Sequence, residues 1–399
     1  MFTGKGGVGK TTTAAATAVA AAASGVSTLV LSTDAAHSLA DALGEPLGGH
    51  PRTVAPRLDA QQVSPRSHFA DTWQVVHDYL AEALGALGVD PAVAEEMTSL
   101  PGAEEIAAVL ELRDQVASGR YELVVVDCAP TAETLRLLAL PENLAWHLRR
   151  VLPGTAGLGR VTRPAAAAAL GLPLPGPQIV QIMRQWYDDM VAVHALLASP
   201  RTSVRLVMTP ESVVIAESRR TWTSLSLYGY AVDAVHVNKI LPAPEPGARG
   251  AAAHWLRSWN AAQNRGLAEV GESFAGIDII AAPYLEREPI GPGALADLAA
   301  RQAPAAGERR PVLDPAPAGG MRVGRTAQGF DLTLALPLTS AREVDLKRRD
   351  DDLLLAIGDH RRIVTLPSAL RRCHVAGAKV RSGCLTVSFV PDPAQWPKR

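Results

Sequence analysis

Gly4-Lys5-Gly6-Gly7-Val8-Gly9-Lys10-Thr11 matches GxxxxGK[ST] at every fixed position, and this octapeptide constrains the fold more than any other feature of the chain. Glycines leave backbone N–H groups open, and a helix N-terminus concentrates positive partial charge, so a strand, a glycine loop and a helix together cradle phosphates. In that unit Lys10 reaches the β and γ phosphates and the Thr11 hydroxyl is placed for Mg²⁺. The Ala-rich segment that follows has the helix propensity needed to carry the loop. Such a loop normally follows a full apolar strand. Only Met1, Phe2 and Thr3 precede Gly4, so the expectation is a central strand cut short: either the natural start lies upstream, the favoured reading, or the loop is supported in some other way.

Apolar segments rich in Val, Leu and Ile recur at Thr28 to Ser32, Leu123 to Asp127, Val204 to Met208, Val232 to Val237 and Ile277 to Ala281, and read as buried strands. Helical patterns such as Ser212 to Leu227 separate them. Alternation of strand and helix predicts an α/β fold, a doubly wound and mainly parallel P-loop NTPase sheet over residues 1–300. Between Leu140 and Pro200 the strand signal disappears, and apolar helical pieces broken by Pro153, Pro164, Pro173, Pro175 and Pro177 predict a helical insertion at about 142–200. Pro304, Pro311, Pro315, Pro317, Gly319 and Gly320 mark residues 301–322 as a linker. Beyond it, short alternating segments at Phe330 to Leu338, Glu343 to Lys347, Leu353 to Ile357, Arg361 to Leu366 and Cys384 to Phe389 predict a small all-β sandwich over residues 323–392.

Composition removes several partners. The chain of 399 residues is 47% hydrophobic, enough for a real core. Its net charge is −1 with Lys and Arg spread along the sequence, so no basic block is available to neutralise a nucleic-acid backbone. Cys128, Cys373 and Cys384 form no CxxC pair or zinc-like spacing, which suits a reducing, cytoplasmic setting. The run from Ala14 to Ala23 is too short to span a bilayer, so no permanent membrane insertion is expected.

Lys5 makes the loop unusual. KGGVGKT resembles the deviant Walker A group of partition, septum-site, nitrogenase-iron-protein and arsenite-pump ATPases. The resemblance implies that Lys5 reaches across a homodimer, where a second cation stabilises charge on the transferring phosphoryl group; the bland alternative is a solvated loop lysine. Asp34-Ala35-Ala36-His37-Ser38-Leu39 looks like switch I of the arsenite-pump and tail-anchored-protein-targeting branch, DPAHSL, with Ala35 in place of proline. Asp34 would then orient the attacking water, or cap the next helix, or both; His37 reads as a structural switch residue. Asp127-Cys128-Ala129-Pro130-Thr131-Ala132-Glu133-Thr134-Leu135 resembles switch II, DTAPTGHTL, in which Asp127 holds Mg²⁺ through water. Ala132 and Glu133 stand where that branch has Gly and His, which implies a stiffer switch loop and altered turnover.

Carried over in the same way, the ATP-contacting residues are Gly4, Lys5, Gly6, Gly7, Val8, Gly9, Lys10, Thr11 and Thr12, followed by three from the later strands. Glu211 lies in Thr209-Pro210-Glu211, which is matched together with the Glu217 to Arg220 helix; Asn238 ends Val235-His236-Val237-Asn238 and reads the adenine edge through its carboxamide; Pro283 packs on the base. Glu286 to Gly291 resembles the closing EPxG segment. Each of these late residues is also readable as a loop or turn former. In the targeting branch the helical insertion forms a groove for a transmembrane helix, to which Leu170, Leu172, Ile179, Val180, Ile182, Met183 and Met190 would contribute; plain core is the competing reading. The C-terminal segment resembles the alpha-crystallin, small heat-shock type of sandwich, carried by Leu336-Pro337-Leu338, Arg361-Arg362-Ile363-Val364-Thr365-Leu366-Pro367 and Gly383-Cys384-Leu385-Thr386-Val387. It would bind unfolded segments, or serve as a spacer or docking surface.

Together these features predict ATP and Mg²⁺ as ligands and a dimeric switch. Its work would be anion export with a membrane permease, or handling of a hydrophobic protein client. A nucleotide-gated chaperone or holdase, or a regulatory binding protein, with negligible turnover is the alternative.

Overall fold

Strands buried on both faces need mainly apolar runs, and Thr28-Leu29-Val30-Leu31-Ser32 and Val204-Arg205-Leu206-Val207-Met208 are buried at every position, Arg205 being paired with Asp233. A computed structural model of the protein describes residues 1–34, 38–63, 68–86, 88–90, 103–151, 176–304 and 320–393. The chain forms two compact units. One comprises Met1–Gln62, Gly119–Leu135 and Leu197–Arg399; the other comprises Val63–Ser118 and Arg136–Leu196.

The first unit holds a nine-stranded sheet in the order β3-β4-β2-β5-β1-β6-β7-β8-β9. Its strands are β1 (Phe2–Thr3), β2 (Thr28–Ser32), β3 (Arg52–Ala55), β4 (Leu58–Gln62), β5 (Leu123–Asp127), β6 (Val204–Met208), β7 (Val232–Ile240), β8 (Asp278–Pro283) and β9 (Ala303–Pro304). All pairs are parallel except β3 on β4 and β9 on β8. The predicted doubly wound, mainly parallel α/β sheet is what forms. β3 and β4 had no sequence signal: Arg52–Ala55 is largely exposed, and Leu58-Asp59-Ala60-Gln61-Gln62 carries too many polar residues to read as a buried strand.

β1 is two residues long and sits at the centre, paired with β5 on one side and β6 on the other. Cys128 N donates to Phe2 O at 3.1 Å and Arg205 N donates to Met1 O at 2.7 Å, so β1 is bonded on both sides and its ladder begins one residue before the strand. Phe2 and Thr3 are buried. The strand is brief, yet both neighbours hold it, and it aims the glycine loop at the C-terminal edge of the sheet where parallel α/β folds place their ligands. The helix Lys10–Ala23 follows, with Ala14, Ala15, Ala16 and Ala18 fully buried; these small side chains let it lie against β1, β2 and β5 and beside the helix Gly291–Arg301.

The C-terminal strands form two antiparallel sheets. β10 (Met321–Arg325), β11 (Phe330–Ala335), β16 (Cys384–Pro391) and β15 (Cys373–Arg381) are ordered β10-β11-β16-β15, and β12 (Val344–Arg349), β13 (Asp352–Ile357) and β14 (His360–Thr365) run in sequence. Alternation along β16 sends Leu385, Val387 and Phe389 inward, where they meet Leu332, Leu334, Leu353, Leu355 and Val364. This is the predicted sandwich, with β10 and a bulged β15 completing one sheet.

The sandwich is seated on the helix Ser212–Leu227. Leu227, at that helix's end, is fully buried within the sandwich core. Arg362 Nη1 donates to Leu227 O at 2.8 Å, Thr223 Oγ1 donates to Pro337 O at 2.8 Å, and Tyr228 OH donates to Arg361 O at 3.2 Å. The reading that left the sandwich open as a spacer or a docking surface is thus narrowed: one face of it is already taken by its own chain.

The second unit contains the helices His68–Ala86 and Ala103–Ala117 and parts of Thr131–Val151 and Pro177–Leu197. An ion pair between Arg113 and Asp189 joins two of them. Of the groove candidates, Met190 is buried and Ile179, Val180, Ile182 and Met183 are half-buried, while Leu170 and Leu172 lie outside the described residues, as do Ala35, Ala36, His37 and most of the proline-rich segment.

Candidate functional site

The loop owes its shape to glycines at two places. Gly9 caps the helix Lys10–Ala23 at φ 91°, in the left-handed region, and no side chain caps that helix start. A Cβ on Gly9 would collide with the Asn238 carboxamide, and one on Gly4 would collide with the Val207 carbonyl of β6. The first N–H groups of the helix therefore remain directed at the space above the loop, as an anion cradle requires. Lys10 is buried, and its Nζ donates to Lys5 O at 3.4 Å. The Lys5 side chain is 42% exposed, with Nζ 3.9 Å from Glu217 Oε2 on the helix Ser212–Leu227.

A carboxylate corner closes one side of the loop. Asp127, the last residue of β5, is fully buried; its Oδ2 accepts from Ser32 Oγ at 3.4 Å, and its Oδ1 has no hydrogen-bond partner among the described residues. Burial pushes its carboxyl up to about 7; neighbouring Asp34 acts in the same direction, whereas Thr11, Lys10 and Ser32 oppose it. Asp34 is held at the end of β2 by its own backbone: its N donates to Ser32 Oγ at 3.2 Å, and Gln62 Nε2 donates to its carbonyl at 2.7 Å. Thr11 Oγ1 lies 3.5 Å from Ser38 Oγ. A buried carboxylate oxygen without a partner, flanked by a threonine hydroxyl and a second carboxylate, is a donor set suited to a hard divalent cation.

The other side is built by β7. Asn238 Nδ2 donates to Val8 O at 3.0 Å, and its Oδ1 accepts from Lys239 N at 3.0 Å. Lys239 adopts φ 58°, and its Nζ donates to Gly7 O at 2.7 Å. Beyond it opens a cavity of about 620 Å³ whose lining includes Glu211, Lys239, Trp259, Gln263 and Tyr284. Pro283 ends β8 against Ile240, and Tyr284 N donates to Ile240 O at 2.8 Å.

The fold thus brings Gly4 to Thr12, Asp34, Asp127 and Asn238 to one sheet edge. Glu211 and Pro283 stand farther along it, Glu211 in the cavity wall and Pro283 beside the Tyr284 that also lines it. Ala132 and Glu133 fall in the first turn of the helix Thr131–Val151. Five contributors escaped the sequence reading: Ser32, Ser38, Gln62, Lys239 and Glu217 as the partner of Lys5. Ser38 stood inside the switch-like segment and Lys239 directly after Asn238, and those adjacencies were the available signal.

Sheet, glycine loop and carboxylate corner define a P-loop α/β protein of the nucleotide-binding class. The profile of the anion-transporting ATPase family matches residues 1–302, and that of the HSP20-like domain found in ArsA matches residues 327–389. The chain belongs to the anion-transporting ATPase family and carries its HSP20-like C-terminal domain. It is 37% identical over 400 residues to an uncharacterized protein of Streptomyces coelicolor, covering 100% of this chain and 98% of that one. It is also 33% identical over 392 residues to a protein of Prosthecochloris vibrioformis named "Putative arsenical pump-driving ATPase", covering 97% and 95%. A protein of the same name in Chlorobaculum tepidum matches at 33% over 392 residues, again covering 97% and 95%. No helix among the described residues is long and apolar enough to cross a membrane.

Proposed function

We propose that the chain binds and hydrolyses ATP as a homodimeric switch in the cytoplasm. The observation that carries this reading is the convergence of Lys10, Thr11, Asp34 and Asp127 at the ends of β1, β2 and β5. The loop N–H groups and Lys10 hold the β and γ phosphates, Lys239 and Asn238 brace the loop from behind, and the cavity lined by Glu211 receives ribose and base beside Pro283. Thr11 and Asp127 are the residues that hold Mg²⁺, which when bound offsets phosphate charge. Asp34 accepts a hydrogen bond from the water that attacks the γ phosphorus, and so orients it. Lys5 adds a second cation to the transferring phosphoryl group once two chains close on each other. The work done is export of an anion through a membrane permease or handling of a hydrophobic protein client; the names of the two pump-type relatives support the former.

The test is ATP hydrolysis by the purified full chain beside Lys10→Ala and Asp34→Asn. Loss of turnover in both, with ATP still bound by Asp34→Asn, is the expected result. A parent chain that binds ATP without hydrolysing it would overturn the enzymatic reading and leave a nucleotide-gated binding protein.

A further inference from the structure

The helix Ser212–Leu227 has a different task at each end. Near its start, Glu217 sits 3.9 Å from Lys5 in the glycine loop. At its finish, Leu227 is buried in the C-terminal sandwich and its carbonyl accepts from Arg362, with Thr223 and Tyr228 bonded to Pro337 and Arg361. Between these ends a cavity of about 630 Å³ separates Ala216, Arg219 and Arg220 from Leu338, Ile357 and His360 of the sandwich. The helix is therefore gripped by the sandwich at its C-terminal end and packed on the sheet through Val214 and Ile215, with open space only on the side that faces the sandwich.

An ion pair between groups 42% and 29% exposed is weak and exchangeable. An arriving phosphate offers Lys5 a stronger, doubly charged partner. Glu217 consequently competes with phosphate for the Lys5 ammonium. The position of Glu217 is set by the helix, and the helix is held by the sheet through Val214 and Ile215 and by the sandwich through Leu227. A stiff element packed in two places transmits a shift at one end to the other.

We propose that the C-terminal sandwich is a built-in brake on the nucleotide site: by fixing the helix Ser212–Leu227 it holds Glu217 against Lys5, and displacement of the sandwich releases that lysine. Glu217 is a positioning residue in this scheme. The inference rests on the reading of Lys5 as a second phosphate-binding cation.

The experiment compares steady-state ATP hydrolysis of the full chain over a range of protein concentrations in four variants: Glu217→Gln, Glu217→Asp, Thr223→Val/Tyr228→Phe, and the triple combination with Glu217→Gln. Hydrogen exchange across residues 330–366 reports the seating of the sandwich. Glu217→Gln should raise turnover at low protein concentration about two- to fivefold, the scale of an exposed ion pair, while Glu217→Asp stays near the parent. Thr223→Val/Tyr228→Phe should speed exchange in the sandwich and raise turnover in the same direction, with no further rise when Glu217→Gln is added. Unchanged or lower turnover in Glu217→Gln, additive effects in the triple variant, or unchanged exchange in Thr223→Val/Tyr228→Phe would each overturn the brake. A parent without turnover would instead defeat the underlying ATPase reading, and the brake with it.

Discussion

Alanine at Gly9 puts the construction of the phosphate loop to a quantitative test. Gly9 lies at φ 91°, and an L-residue there costs about 1–2 kcal/mol. Its new Cβ would also occupy the space of Asn238 Nδ2. Displacing that carboxamide breaks its 3.0 Å bond to Val8 O and strands a buried acceptor, a further ~1–3 kcal/mol. Gly9→Ala should therefore destabilise the nucleotide-free chain by about 2–5 kcal/mol. Asn238→Ala alone loses the hydrogen bond but clears the space, so in that background Gly9→Ala should cost only the backbone part, about 1–2 kcal/mol. Urea unfolding of the parent, both single variants and the double variant, followed by tryptophan fluorescence, measures the cycle. Additivity to within about 0.5 kcal/mol would refute the shared space between Gly9 and Asn238.

Lys239→Met removes the donor to Gly7 O and should weaken nucleotide binding about two- to tenfold, as expected for one hydrogen bond supporting the loop; titration with a fluorescent nucleotide checks it, and the melting temperature should barely move. Asp127→Asn replaces a buried carboxylate that has an unpaired Oδ1; melting of the nucleotide-free protein should not fall, whereas any melting shift produced by Mg²⁺ with ATP should vanish. Tyr121 OH donates to Asp59 Oδ2 at 2.7 Å, and burial, aided by that carboxylate, pushes the phenol up to about 12. Because its folded pKa exceeds the ordinary value near 10, its contribution to stability is complete below pH 10 and is lost as pH rises from about 10 to 12; Tyr121→Phe should flatten the pH dependence of the urea midpoint in that window.

Much of the fold was legible because its signals are local. Buried parallel strands need apolar runs; β2 and β5 have them, and β6 has one interrupted by Arg205, which is buried against Asp233; a strand of the sandwich needs alternation, and β16 has it. β4 escaped because Gln61 and Gln62 are polar yet buried, their burial being made tolerable by Gln61 Nε2 donating to Gly49 O and Gln62 Nε2 donating to Asp34 O. Lys239 escaped for a related reason. A lysine after a strand reads as a solvated side chain, and only its left-handed backbone directs it at Gly7. Leu227 fits the apolar pattern of its own helix equally well whether it packs on the sheet or enters the sandwich.

The sequence by itself determined the glycine loop, the class of sheet that carries it and the separate β module, because turn chemistry and hydrophobic periodicity are properties of contiguous residues. Tertiary structure alone decided which groups surround the loop. Asn238 and Lys239 meet Val8 and Gly7 across more than 200 intervening residues, and Glu217 meets Lys5 only because β6, which leads into its helix, is hydrogen-bonded to β1. Strand order follows from the joint packing of all the elements and is written in no single segment, so the partners of the loop become visible only when the sheet is assembled.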